Sequence, residues 1–158
     1  MNQHSRVQIF QYFKVHLRAE NEQTVSNRNN FDMKSMVLTG IKQMDMVDVP
    51  DPKIVNSNDV LIKLERVGVC GSDIHYYTTG KIGSQVVEYP FAVGHESAGE
   101  VVEVGPGVTT LKPGDPVAID PAMPCGECDQ CKQDRMHTCR NLVFLGCPGQ
   151  AEGSLSEY

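Results

Sequence analysis

Four cysteines stand close together, Cys125, Cys128, Cys131 and Cys139, in the spacing C-x2-C-x2-C-x7-C. Gaps of two residues let consecutive thiolates turn toward one centre, and the longer gap returns the fourth. Four sulfurs at about 2.3 Å form the closed tetrahedral shell of a structural zinc. The residues between them are mostly polar, with Gly126, Glu127, Asp129, Gln130 and Lys132 among them. That suits a loop folded by its metal rather than by a hydrophobic core. Two other chemistries use clustered cysteines. A bacterial ferredoxin cluster has a last gap of about three residues followed by proline, whereas here the gap is seven and Arg140 follows. A disulfide framework belongs to secreted chains, and nothing in the sequence reads as a secretory signal. Zinc is the expected occupant, and His137, inside the same loop, is surplus to a complete four-sulfur shell.

A second set is more dispersed. Cys70 sits in GVCGSDIH, and His95 and Glu96 come in GHE twenty-five residues later. Thiolate, imidazole and carboxylate make the mixed, incomplete shell of a catalytic zinc that keeps one position open for substrate. From spacing alone each residue has a plain structural reading as well. Cys70 could be a small buried hydrophobe, His95 a hydrogen-bonded turn histidine and Glu96 a solvated charge.

These residues need elements to hold them, and from Ser35 onward the grammar is that of strands. SMVL opens the pattern, and VLIKL (Val60 to Leu64) alternates Val60, Ile62 and Leu64 against Leu61 and Lys63. Val67 and Val69 lead to Cys70, as a strand feeding a site does. SDIHYY reads as a short helix capped by Ser72 or Asp73. GEVVEV (Gly99 to Val104), closed by a GPG turn, and PVAI (Pro116 to Ile119) are further strands. Between Pro121 and Leu142 no periodicity is visible, only the cysteine-rich loop.

Residues 1–32 differ from the rest of the chain, carrying a net +1 against −7 for residues 33–158. Val7 to Leu17 has the spacing of a short amphipathic helix, with Ile9, Phe10, Phe13 and Leu17 on one side. It has no uninterrupted apolar h-region, and its basic, acid-free character has only a faint likeness to an organellar transit peptide. Asn21 to Asn30 reads as a polar linker. The expected organisation is a loose extension over 1–32 and one domain over 33–158.

Composition agrees with that and removes several function classes. A chain of 158 residues suits one domain, and 14 glycines with 9 prolines favour a turn-heavy β protein. No run approaches the roughly 20 apolar residues of a membrane span, so no membrane partner is expected. A net charge of −6 opposes nucleic-acid binding. The cysteine loop is itself balanced, with Lys132, Arg135 and Arg140 against Glu127, Asp129 and Asp134, unlike a phosphate-binding finger. Cysteines used for metal suggest a reducing compartment, hence a cytoplasmic protein.

Taken together, GVCGSDIHYY, KIG, PFAVGHESAGEVVEVGPGV, LKPGDPVAI and PCGECDQCKQDRMHTC resemble the zinc-containing medium-chain alcohol dehydrogenases. HYY followed by GKIG is most similar to the polyol branch, the sorbitol and xylitol dehydrogenases. The resemblance runs from about Ser35 to Tyr158 and implies a mainly β fold, a GroES-like β-barrel with a zinc-binding loop lobe. It implies a catalytic zinc held by Cys70 and His95, with Glu96 a ligand in the polyol branch, and a structural zinc held by Cys125, Cys128, Cys131 and Cys139. Ser72 would hydrogen-bond the substrate hydroxyl and begin a proton relay, His75 would lie near the pocket rim, and Tyr76 would line the polyol pocket. A helix cap, an exposed helix histidine and a packed aromatic are their plain alternatives. Cys147 matches no ligand position and reads as an ordinary thiol. The implied reaction is oxidation of a small-molecule polyol, with a hydride passing to NAD and a ketone left behind.

The resemblance also marks what these residues lack. A dinucleotide domain would show G-x-G-x-x-G between a strand and a helix. Gly105–Pro106–Gly107 and GCPGQAEG come nearest, and both read as loops. A Rossmann domain and a further zinc partner are therefore expected beyond Tyr158, with NAD binding and homo-oligomer contacts dependent on that domain, and this stretch alone is expected to be inactive. The alternative is a stand-alone, non-catalytic, zinc-stabilised binding module. A chaperonin-like role has no support in the cysteine pattern.

Overall fold

Leu38 and Val101, both at 0% exposure, mark the centres of the two sheets from which the protein is built. The computed structural model describes residues 32–158; the Val7–Leu17 stretch and the polar run to Asn30 lie outside the described residues. The first sheet has strand order β2-β1-β6, from Gln43–Pro50 (β2), Asp32–Gly40 (β1) and Phe91–Ala92 (β6). The second has order β3-β7-β8, from Val60–Gly68 (β3), Glu96–Val104 (β7) and Pro116–Ala118 (β8). All their pairings are antiparallel. One helix, Gly71–Thr79 (α1), comes after β3. A small hairpin joins Lys81–Ile82 (β4) to Gln85–Val86 (β5). Ala122–Met123 (β9) pairs with Val143–Phe144 (β10) on either side of the cysteine loop. The mainly β reading holds, and no Rossmann layering of helices on a parallel sheet is present among the described residues.

The alternation in VLIKL appears as expected: Ile62 is buried while Lys63 faces solvent. Between β3 and β7 the backbones touch at Gly99, where a Cβ would fall 2.0 Å from the Lys63 carbonyl oxygen. Only a residue without a side chain fits that crossing. The core under α1 gathers Leu38, Tyr76, Val87, Phe91 and Val93, so the helix is anchored by an aromatic that also reaches the site.

Two features depart from the sequence reading. The helix N-cap is Cys70 in extended conformation, rather than Ser72 or Asp73. Asp73 stands three residues in, where its carboxylate accepts the Cys70 N–H at 2.9 Å. That satisfies one of the orphan donors at a helix start from inside the first turn. The second departure is the segment 153–157, which no turn or periodicity signal marks and which joins the sheets by backbone hydrogen bonds without being a regular strand. Gly153, Ser154 and Leu155 donate to the carbonyls of Ala92, Gly94 and Val93, at 2.8, 2.9 and 3.0 Å. On the other edge, Met36 donates to Leu155 at 2.7 Å and Glu157 to Lys34 at 3.1 Å. Leu64 of β3 then donates to Glu157 at 2.9 Å. This segment therefore stitches the first sheet to the second and closes the barrel.

Candidate functional site

The cysteine loop folds into a lobe held at its base by the β9–β10 pair. Its four sulfurs lie within 4.8 Å of one another: Cys128 to Cys131 is 3.6 Å, Cys128 to Cys139 3.9 Å and Cys139 to Cys125 3.5 Å. A tetrahedron with arms of about 2.3 Å has edges of about 3.8 Å, so these spacings are those a zinc would require. Backbone N–H groups point at them as well. Cys125 and Asn141 donate to the Cys139 sulfur at 3.2 and 3.3 Å.

The protonation chemistry points the same way. Backbone N–H groups of Arg140 and Cys131 pull the Cys128 thiol down to about 6, while burial pushes Cys131 up to about 12. Several thiolates this close are stable together only around a cation. The donor set is all sulfur and suits zinc. Outside the shell, the Arg140 guanidinium forks onto the Asp129 carboxylate at 2.5 and 2.8 Å, holding that carboxyl well below the usual range. The fork ties the far end of the lobe to its middle. His137 is exposed and outside the sulfur group.

The second cluster forms where three elements meet. Cys70 caps α1, and His95 and Glu96 lie at the start of β7; their ligand atoms also lie within 4.8 Å of one another. Gly94, at φ +100°, turns the chain so that His95 points inward, in a space where a Cβ would meet Leu155 at 3.0 Å. His95 is 8% exposed, and its ring packs edge-on to Phe144 with centroids 5.4 Å apart. Its Nδ1 is buried, lacks a hydrogen bond and lies 3.5 Å from the Asp73 carboxylate. With Nδ1 turned to Asp73, Nε2 is the nitrogen left for a metal. A buried imidazole short of partners, beside a thiol and a carboxylate, fits a zinc with an open position.

Asp73 is the residue that sequence reasoning assigned only to capping. It is 5% exposed and accepts the N–H of Cys70 at 2.9 Å and that of Gly94 at 3.2 Å. One carboxylate thus fixes the backbone beside two of the three ligands and faces the imidazole ring of His95. Its sequence signal is its position three residues after a cysteine at a strand end. Replacing Asp73 with Asn is expected to weaken zinc at the Cys70–His95–Glu96 cluster by about 10–100-fold, with the lobe site unaffected. A competition titration against a chromophoric chelator measures this, and equal affinities in the two proteins would defeat the assignment.

Beside this cluster lies a cavity of about 410 Å³. Ser72, Tyr76 and His95 line it, with the apolar wall made by Ile82, Leu142 and Phe144. Gln85, Cys147 and Gln150 lie on its polar side, and no sequence motif marks any of them as part of a pocket. Burial, with Cys147 alongside, pushes the Tyr76 phenol up to about 12. His75 is exposed on α1 and is not among the cavity's lining residues.

This geometry has counterparts. Residues 56–158 match the model of the alcohol dehydrogenase GroES-like domain. The chain belongs to this family. Sorbitol dehydrogenase of Bacillus subtilis (strain 168) is 44% identical over 127 residues, covering 80% of this chain and 35% of that protein. D-xylulose reductase A of Aspergillus oryzae is 42% identical over 124 residues, covering 78% and 34%. Among solved structures, galactitol-1-phosphate dehydrogenase from Escherichia coli superposes with a TM-score of 0.71 at 31% identity, covering 79% of this chain and 34% of that one. The GroES-like chain therefore spans about a third of the length of the curated relatives it matches. The family reading made from its motifs, and the mainly β GroES-like fold, both hold.

Proposed function

We propose that residues 33–158 are the zinc-binding catalytic domain of an NAD-dependent polyol or secondary alcohol dehydrogenase. The full reaction would move a hydride from a polyol to NAD and leave a ketose. The observation that carries the reading is that His95 belongs both to the Cys70–His95–Glu96 cluster and to the lining of the cavity beside Ser72 and Tyr76. Zinc, when held there, supplies Lewis acidity of the kind that lowers the pKa of water from 15.7 to about 7.

The chain's own residues account for the remaining work. Ser72, in the first turn of α1, stands at the cavity edge to take the substrate's hydroxyl proton. His75, one turn further and exposed, is the next group that could pass it to solvent. Ile82, Leu142 and Phe144 exclude water from the carbon chain, and Tyr76 completes the lining. The nicotinamide cofactor does the hydride chemistry, and the G-x-G-x-x-G signature that would bind it is absent from residues 1–158. A preparation of these residues alone is therefore proposed to bind zinc without oxidising alcohols, and NAD reduction by it would refute that part. The family's small-molecule, reducing-compartment chemistry supports a cytoplasmic setting, and homo-oligomer formation is assigned to the cofactor domain.

Metal counting separates this reading from a non-catalytic zinc module. The wild-type chain is expected to hold two zinc ions, one of them lost first to a chelator. Cys70→Ser is expected to keep the fold and hold a single zinc, measured by elemental analysis alongside circular dichroism. A wild-type content of one zinc, confined to the lobe, would favour the module instead.

A further inference from the structure

The cavity's polar wall does more than the family motifs require, and it centres on Gln85. This residue lies in β5, outside every motif that carries the family resemblance, and lines the cavity together with Tyr76. The Tyr76 hydroxyl donates to Gln85 Oε1 at 3.0 Å. That bond fixes the amide, because its carbonyl is held by the phenol and its Nε2 N–H donors are left over. It also commits the Tyr76 proton, so Tyr76 cannot donate the same proton to a ligand.

The Tyr76 side chain is buried in the core cluster at 3% exposure, so the pair is anchored on the protein side. Cys147, buried on the same wall, is only a weak acceptor and does not use up the amide donors. His95 and Ser72 receive the reacting hydroxyl, Ile82 and Phe144 offer only carbon, and Gln150, also in the lining, has its Oε1 taken by the Phe144 N–H at 2.8 Å. A ligand that fills this space with a single hydroxyl would displace water from the half-buried Gln85 amide without replacing the hydrogen bonds that water makes there. A ligand bearing a further hydroxyl along its chain would replace them.

We infer that Gln85, held in orientation by Tyr76, donates to a second substrate hydroxyl and so makes the site select polyhydroxylated over monohydroxy alcohols. Tyr76 is then a positioning residue for Gln85 as well as a wall. The inference rests on the dehydrogenase reading and adds to it a specificity-determining residue.

The test uses the zinc-loaded 158-residue chain with ¹⁵N-labelled side-chain amides, titrated with xylitol and, separately, with 2-pentanol. The Gln85 amide pair is expected to shift with xylitol, and xylitol is expected to bind more tightly than 2-pentanol. In Gln85→Leu the preference for xylitol over 2-pentanol should fall about tenfold, as for loss of one neutral hydrogen bond. Gln85→Glu retains an acceptor for Tyr76 but has no amide donor, and should lose the preference similarly. An unchanged preference in both variants, with both alcohols still bound in the cavity, overturns the role of Gln85 and leaves the dehydrogenase reading intact. If neither alcohol perturbs signals from Tyr76 or His95, the dehydrogenase reading fails and this inference fails with it.

Discussion

Replacing Cys128 with Ser is expected to release the lobe's zinc and unfold residues 125–141 while leaving both main sheets in place. Within that stretch only Cys131 is buried, so the lobe has no apolar core to fall back on. Structural zinc in small metal-folded peptides contributes roughly 10–16 kcal/mol of apparent binding free energy, far more than the exposed Asp129–Arg140 fork can replace. Hydrogen exchange should then find Lys132 and Asp134 unprotected, although in the wild type they donate to the Cys128 and Cys131 carbonyls at 3.0 Å. The same lobe should be sensitive to acid. The Cys128 pKa is lowered from the ordinary thiol value to about 6 by backbone N–H groups. The stability it contributes is therefore fully present above the ordinary thiol pKa and is lost as pH falls through about 6. A variant that retained the lobe's zinc and protected amides would contradict this account.

Deleting residues 153–158 is expected to abolish cooperative folding altogether. The segment makes six backbone hydrogen bonds to β1, β3, β6 and the residues around Gly94. It also forms the buried Ser154–Ser97 hydroxyl pair at 2.8 Å. At about 1 kcal/mol net for each bond, and about 1 kcal/mol for the half-burial of Leu155, the loss is comparable to the about 5–15 kcal/mol that holds a domain folded. The deletion also leaves the carbonyls of Val93 and Gly94 without partners beside His95, so metal binding at the Cys70–His95–Glu96 cluster should go with it. A thermal melt followed by near-ultraviolet circular dichroism measures the outcome. A deleted chain melting within a few degrees of the parent would show that the two sheets close without this segment.

What could be read beforehand divides along a physical line. The grouping of Cys125, Cys128, Cys131 and Cys139 was legible because their type and spacing converge on one centre, and that of Cys70, His95 and Glu96 because their motifs flank glycines in a known order. Asp73 was half legible. Its local bond to the Cys70 N–H is a capping interaction, but its contacts to Gly94 and His95 cross about twenty residues of chain and leave no trace in spacing. β2 carries Met44, Met46, Val47 and Val49, and the step from Met46 to Val47 breaks the alternation that marks a half-buried strand. As an edge strand it leaves Met46 exposed. The 153–157 segment and Gln85 were hidden for a common reason. Glycine and serine carry little strand propensity, and a two-residue strand such as β5 has no period at all.

The placing of so many site residues on α1 limits how such a protein can vary in length. The N-cap of α1 supplies a proposed ligand, Cys70, and its nine residues supply Ser72, Asp73 and Tyr76. On an α-helix each added or deleted residue rotates everything beyond it by about 100°. A one-codon insertion between Cys70 and Tyr76 would therefore swing the phenol off Gln85 and the core at the same stroke, even if every residue type were kept. The lobe obeys another rule, since its shape is set by four sulfur anchors, and the seven-residue return from Cys131 to Cys139 can lengthen as an outward bulge. Reading-frame-preserving insertions should thus be purged from the codons for 71–76 and tolerated in those for 132–138, a contrast that a library of single-codon insertions would resolve position by position.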